Sequence, residues 1–243
     1  MSAIVCASIG CLSSTNGQLS EAAAEKSGSV FTVKINIPEP SGLSFTASKD
    51  ALLTVSDKTG RIYRIGFNGE VMDRLPFHGH DLEGIEVDKS NGEIWVVEER
   101  KQNILHLDIN GELIEKISDV HADTKNNAGF EGIAKNGDSL YLLIEKDPGL
   151  LIKYNIKTKK LIRIKLNFAK DFSGIDYDIS DNTLWIVSDE SATLNHCTLD
   201  GKLISAQEID IRQAEGVAVD RQNKVVWIVS DGGHSLHRVN LKD

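Results

Sequence analysis

A carboxylate beside a glycine recurs along this 243-residue chain, as Glu83-Gly84-Ile85, Glu131-Gly132-Ile133 and Glu215-Gly216-Val217. Serine takes the place of the acid in two further copies, Ser41-Gly42-Leu43 and Ser173-Gly174-Ile175. Carboxylates this far apart in sequence do no joint chemistry unless the fold gathers them. Once gathered within several ångströms they repel one another, and either take up protons or hold a cation. An oxygen-only set of carboxylates, hydroxyls and backbone carbonyls suits a hard cation. A spacious, irregular version of it suits Ca²⁺ better than Mg²⁺.

The elements that must do the gathering are legible around the repeat. Its glycines stand at 42, 84, 132, 174 and 216, a period of 42 residues broken once by 48. Each glycine opens a short strand, followed by a turn such as DKSNG (88–92) or DISDN (178–182) and then by a very apolar run. The apolar runs are ALLTVS, EIWVVE, SLYLLIE, TLWIVS and VVWIVS, as expected of strands buried on both faces. Trp95, Tyr141, Trp185 and Trp227 share one register in them, which packing between stacked units explains without a ligand. A third strand, a hairpin turn and a fourth strand complete four of the units. The fifth ends at Asp243 before any fourth strand, while FTVKINIP (31–38) precedes the first glycine as a fourth strand precedes the others. Four strands in each of five units predict an all-β, five-bladed β-propeller closed by its N-terminal strand, one domain over residues 30–243.

In a propeller the first strand of each blade lines the central channel, so the residue before each glycine stands at one mouth of it. The connections between second and third strands open on the same face. They bring Ser56-Asp57, Glu98-Glu99, Glu145-Lys146, Ser188-Asp189 and Ser230-Asp231 there. Matching Glu98 with Glu145 gives blades two and three Glu at both rim positions. Glu83, Glu131 and Glu215 then form the candidate cation ligands, with Glu98 and Glu145 contributing from a second ring. His78, His80 and His234 fall near this face and keep a transition metal open. The alternative is that the same glutamates clamp neighbouring blades, through backbone N–H groups or through Arg100, Lys146 and Arg212.

Composition narrows the partners. A net charge of -9 with no basic stripe argues against nucleic acid and anionic lipid, and no run of about 18 apolar residues is present to span a membrane as a helix. The segment 1–29 reads as a leader and tether. MSAIVCASIGC and the Ser/Ala-rich stretch after it look like a bacterial lipoprotein signal with Cys11 as its lipid acceptor, although the basic n-region is missing and Ser8 stands where an aliphatic residue is commoner. An ordinary N-terminus is the other reading. Outside the leader only Cys197 remains, so no disulfide framework or thiolate metal site is expected, and Cys197 reads as a buried strand residue.

The five glycine repeats, the phrases DLEGIEVD (81–88) and GFEGIA (129–134), the IWVVEER segment (94–100) and the lipoprotein-like leader together resemble the SdiA-regulated, YjiK/CarP-type family of bacterial β-propellers, from about Val33 to the C-terminus. The resemblance implies an exported or envelope-associated protein, on the periplasmic side or lipid-anchored, with a fold related to phytase-like propellers. It also implies a link in one branch to calcium homeostasis.

Three functions fit these residues. The first is a non-catalytic Ca²⁺-binding propeller of the envelope, with an envelope protein as partner. The second is a metal-dependent hydrolase, a phytase-like phosphoesterase or a lactonase, in which the channel metal polarises the substrate and activates water. Such an enzyme needs electrophilic help, and the face offers mainly Lys58, Arg100, Lys101, Lys146 and Arg212 amid more acids. The third is a metal-free protein-interaction platform. No nucleophile elbow, HExxH motif or phosphate-binding loop is present to name a catalytic residue.

Overall fold

The computed structural model describes residues 31–118, 120 and 129–242. The leader, with Cys6 and Cys11, lies outside them. Among the described residues there is no helix, and none is long and apolar enough to cross a membrane. Strands make five four-stranded antiparallel sheets, the five blades.

The innermost strands are β2 (Pro40–Phe45), β6 (Leu82–Val87), β10 (Gly132–Asn136), β14 (Gly174–Asp178) and β18 (Ala214–Asp220). Second come β3 (Leu52–Ser56), β7 (Ile94–Glu98), β11 (Ser139–Ile144), β15 (Thr183–Ser188) and β19 (Val225–Ser230), buried along almost their whole length as the apolar runs require. The third strands are β4 (Arg61–Ile65), β8 (Asn103–Leu107), β12 (Leu150–Asn155), β16 (Thr193–Thr198) and β20 (Ser235–Asn240). The outer ones are β5 (Val71–His78), β9 (Leu113–Ile117), β13 (Leu161–Lys165) and β17 (Leu203–Glu208). The fifth outer strand is β1 (Phe31–Lys34), which pairs antiparallel with β20 from Phe31 opposite Arg238 to Lys34 opposite Ser235. The N-terminal strand thus closes the ring as its place before Gly42 predicts, and removes the edge an open array would leave.

The apolar core is five clusters, one at each blade interface, and the shared aromatic register divides among them. Trp95 packs between blades two and three, Tyr141 between three and four, Trp185 between four and five, and Trp227 between five and one. Cys197 is fully buried in the cluster between blades three and four.

At the axis the repeat glycines touch one another's blades. A Cβ on Gly84 would stand 2.7 Å from the Ile133 amide nitrogen, and one on Gly216 would stand 2.5 Å from the Gly42 carbonyl carbon. On Gly174 it would run into the Glu215 carbonyl oxygen. Blade two is thus closed against blade three, four against five, and five against one, at a layer where only hydrogen fits. We expect Gly174→Ala to cost about 3 kcal/mol, because backbone cannot move aside as a side chain can. Gly132→Ala should cost less, since its nearest obstacle is the Ile175 side chain, 2.9 Å away. Urea melts of the two variants measure the difference.

Candidate acidic channel mouth

The residue before each glycine sits just above this closed layer. Ser41, Glu83 and Glu215 belong to the innermost strands, while Glu131 and Ser173 directly precede theirs. Their amides extend the ladder to the Leu143 and Val187 carbonyls at 3.0 and 3.1 Å. The five form an inner ring of three carboxylates and two hydroxyls.

A second ring surrounds it, and here the structure corrects the sequence. Pro40 pairs with Ser56, Leu82 with Glu98, and Ala214 with Ser230, whereas in blade three Gly132 pairs with Leu143. The residue matching Glu98 is therefore Ile144 and not Glu145. Shifted by one, the outer ring reads Asp57, Glu99, Glu145, Asp189 and Asp231, an acid from every blade. In three blades a repeated backbone bond holds it against the inner ring, from the Asp57, Glu99 and Asp231 amides to the Glu39, Asp81 and Gln213 carbonyls at 3.1, 2.8 and 3.1 Å.

Of the acids singled out in the sequence, Glu83, Glu131, Glu215 and Glu145 share the walls of one cavity of about 320 Å³ with Asp57, Asp231 and Glu39. Glu98 does not join them. It is buried, accepting from the His80 amide at 3.3 Å and Asn103 Nδ2 at 2.6 Å, with Lys116 Nζ 3.2 Å away. These partners hold its carboxyl below the ordinary Glu range even though burial opposes them. Ser56, Ser188 and Ser230 take the corresponding position and donate to Pro38 O, the Asp171 carboxylate and Arg212 O. Glu98 thus ties the second strand of its own blade to the connection entering the first and does not clamp neighbouring blades, whereas Glu145 reaches Glu190 of blade four through Lys146. Glu98→Ala should lose about 2 kcal/mol of stability, by leaving Asn103 and Lys116 without their acceptor, and a chemical melt checks it. The variant's response to added cations should match that of the wild type.

The rim cations answer the outer acids. Lys58 pairs with Glu39 at 2.8 Å, Lys146 with Glu145 at 2.9 Å and Glu190 at 2.8 Å, and Arg100 reaches Asp81 at 3.5 Å and Glu99 at 3.8 Å. Arg212 contributes its backbone carbonyl. His234 pairs with Asp231 at 3.5 Å, and His78 lies edge-on to His80. Among the described residues no Lys or Arg makes an ion pair with Glu83, Glu131 or Glu215. Burial pushes Glu131 up to about 9, helped by Glu83, Glu99, Glu145 and Glu215. It pushes Glu83 to about 8, against a hydrogen bond from Ser41, and Glu215 to about 7 with Asp189 and Asp231 adding to the effect. Asp57 and Glu99 are raised too, chiefly by burial and then by Asp81. The two rings are one electrostatic unit.

A second layer of the same channel escaped the sequence reading. Two residues past each glycine the innermost strands carry Ser44, Glu86, Ala134, Asp176 and Ala218. Lys89, on the turn after β6, reaches in among them. Its Nζ donates to Asp176 Oδ1 at 3.1 Å and Tyr177 O at 2.6 Å, with Glu86 Oε1 at 3.8 Å. Glu86 Oε2 accepts from Ser44 Oγ at 3.2 Å, and Asp176 Oδ2 accepts from the Val219 amide at 2.7 Å. Asp176 and Glu86 hold the ammonium above its ordinary range despite burial, which acts to lower it. Alternation along the innermost strands could have found Glu86 and Asp176. No local signal marks Lys89, whose partner strand is 87 residues away.

Below the closed glycine layer, then, the chain supplies its own cation to two carboxylates. Above it, three carboxylates have none. The donors there are all oxygen, which fits a hard cation. Among the described residues no group of three or more acidic, His or Cys side chains is placed to hold a bare metal ion.

The chain matches the model of a family described as SdiA-regulated over residues 30–233. Its fold is similar to that of a glutaminyl cyclase from Myxococcus xanthus, at 11% identity, with a TM-score of 0.65 over 89% of this chain and 97% of that one. It is also similar to XC5397 from Xanthomonas campestris, described as a gluconolactonase, at 14% identity and a TM-score of 0.60 over 87% and 79% of the two chains. A third likeness is to a catalytically inactive virginiamycin B lyase from Staphylococcus aureus with quinupristin, at 12% identity and 0.55 over 88% and 100%. At such identities the likeness is one of fold.

Proposed function

The chain belongs to the SdiA-regulated family, and from that membership and its acidic mouth we propose that it is a non-catalytic, Ca²⁺-binding propeller of the cell envelope. The observation that carries the reading is the set of Glu83, Glu131 and Glu215, gathered under burial that raises all three, with no basic side chain among the residues lining their cavity. Such a group is unfavourable when ionised and unanswered, and a divalent cation is the counter-charge that answers more than one carboxylate at once. Glu83, Glu131 and Glu215 would hold the hydrated ion from the inner ring, and Glu145 and Asp57 from the outer one, through part of its water shell. What supports the envelope in this reading is the lipoprotein-like pattern of residues 1–11.

Hydrolysis at this mouth would need a donor or cation to stabilise a developing negative charge. A bound Ca²⁺ could itself polarise a substrate, but the cavity lining holds no Lys, Arg or His to bind an anionic one, which favours holding an ion over turning over an anionic substrate.

The test is the melting temperature after chelation, with Ca²⁺ or Mg²⁺ added back. Ca²⁺ at about 100 times its Kd should add roughly 2.7 kcal/mol of stability, and Mg²⁺ less. The gain should vanish in Glu83→Gln/Glu131→Gln. No response to Ca²⁺ in the wild type overturns the proposal.

A further inference from the structure

The two ends of the channel have opposite character. At the end away from the acidic mouth the turns between first and second strands surround a cavity of about 350 Å³. Three of its lining residues are cations, Lys49, Lys89 and Arg221, against one acid, Asp178. The carboxylates that answer Lys89 lie behind it, while Asp178, which answers Arg221, shares the cavity wall. Glu86 and Asp176, both buried, sit behind Lys89 in the channel. Asp220 lies 4.0 Å from Lys49 Nζ, and Asp178 and Asp181 lie 3.5 and 2.9 Å from Arg221 Nη1. The Arg221 guanidinium also lies over the Trp185 ring, 5.7 Å from its centre, with Nη1 3.5 Å from His196 Nε2. About 26% of the Lys89 side chain is accessible, and two of its three N–H bonds are taken by Asp176 and Tyr177 O. Lys49 and Arg221 are 46% and 39% accessible.

Around these heads the wall is apolar and partly aromatic. Lys49 Nζ stands 5.5 Å from the Phe45 ring centre and Lys89 Nζ 5.9 Å from that of Tyr177. Val219 continues the wall, and at its edge Ile179 is 71% exposed, the most exposed large apolar side chain among the described residues. Three cations lining a concavity of this size with aromatic and aliphatic walls make a candidate small-molecule site, and one side chain like Ile179 held in water at its lip is an apolar contact without a partner.

We propose that this cavity binds a small organic carboxylate carried on a flat apolar body, its charge between Arg221, Lys49 and the open side of Lys89, and its body against Phe45, Tyr177 and Ile179. The site is separate from the acidic mouth, since the closed glycine layer and Lys89 lie between them.

Benzoate is a suitable probe, with benzamide as its neutral equal in shape, and binding to the full chain is followed by ligand-observed NMR. Benzoate should bind and benzamide should not. The double variant Lys49→Gln/Arg221→Gln, both positions partly exposed and replaceable without emptying the core, should weaken benzoate at least about tenfold, the loss of roughly one charge-assisted hydrogen bond. Glu83→Gln, at the other mouth, should leave benzoate affinity unchanged. No benzoate binding, equal binding of benzamide, or equal affinity in the double variant overturns the proposal.

Discussion

In chelator, the protein should lose stability steadily as pH rises from 5.5 to 9. Glu83, Glu131 and Glu215 have folded-state pKa values of about 8, 9 and 7, all raised by burial from an ordinary value near 4.5. Between 4.5 and about 9 the folded chain therefore binds more protons than the unfolded one, and stability present below that window is lost as pH climbs through it. Burial raises Glu86, in the layer below, to about 8 as well, and the four groups, discounted for the solvent at the mouth, should lower the melting temperature by on the order of 10 °C. Glu83→Gln/Glu131→Gln removes two of these four titrations, so its profile should be flatter and the variant more stable than wild type at pH 8.5. A wild-type profile that is flat or rises across this range would mean that the mouth carboxyls are not raised. Calorimetric melts at half-unit intervals decide it.

Lys89→Met should have the other large effect. It removes the Lys89 ammonium from the channel and leaves Glu86 and Asp176 buried without their cation. Breaking a buried pair in this way costs about 3 to 5 kcal/mol, roughly 10 °C or more in a chain of this size. The interaction spans blades two and four directly and touches one and five through Ser44 and the Val219 amide, so its loss should loosen the ring as a whole. Adding Asp176→Asn to Lys89→Met should recover part of the loss, because the asparagine can still accept from Val219 without carrying a charge. If Lys89→Met melts within 2 °C of wild type, a shift worth less than about 1 kcal/mol, the ammonium is not the counter-ion the geometry makes it.

Much of this architecture was written in one repeated residue. A glycine is required wherever the innermost strands press backbone to backbone, so five glycines at a period near 42 gave the blades, their order and the channel. The closing strand was legible because a fourth strand must precede each glycine, and β1 was the one left over. The outer acidic ring was harder to read. Ser56, Glu98, Ser188 and Ser230 end their second strands with a polar side chain, but Ile144 ends its strand with an apolar one, and Glu145 next to it looked like the match to Glu98. Only hydrogen-bonded pairing showed that the acids one place further on belong together. Lys89 was illegible for a different reason. A lysine on a turn is ordinarily solvated, and the carboxylates that draw this one inward meet only when the ring closes.

The most direct test of the account is to count the protons released when Ca²⁺ binds, by titrating the chelator-treated protein at pH 7.5 in two buffers of different ionisation enthalpy. A cation held by Glu83, Glu131 and Glu215 must displace the protons they carry at that pH. We predict release of about one proton or more per ion, with both heat and release absent in Glu83→Gln/Glu131→Gln. Binding without proton release, binding undiminished in the double variant, or no binding at millimolar Ca²⁺ would contradict the account.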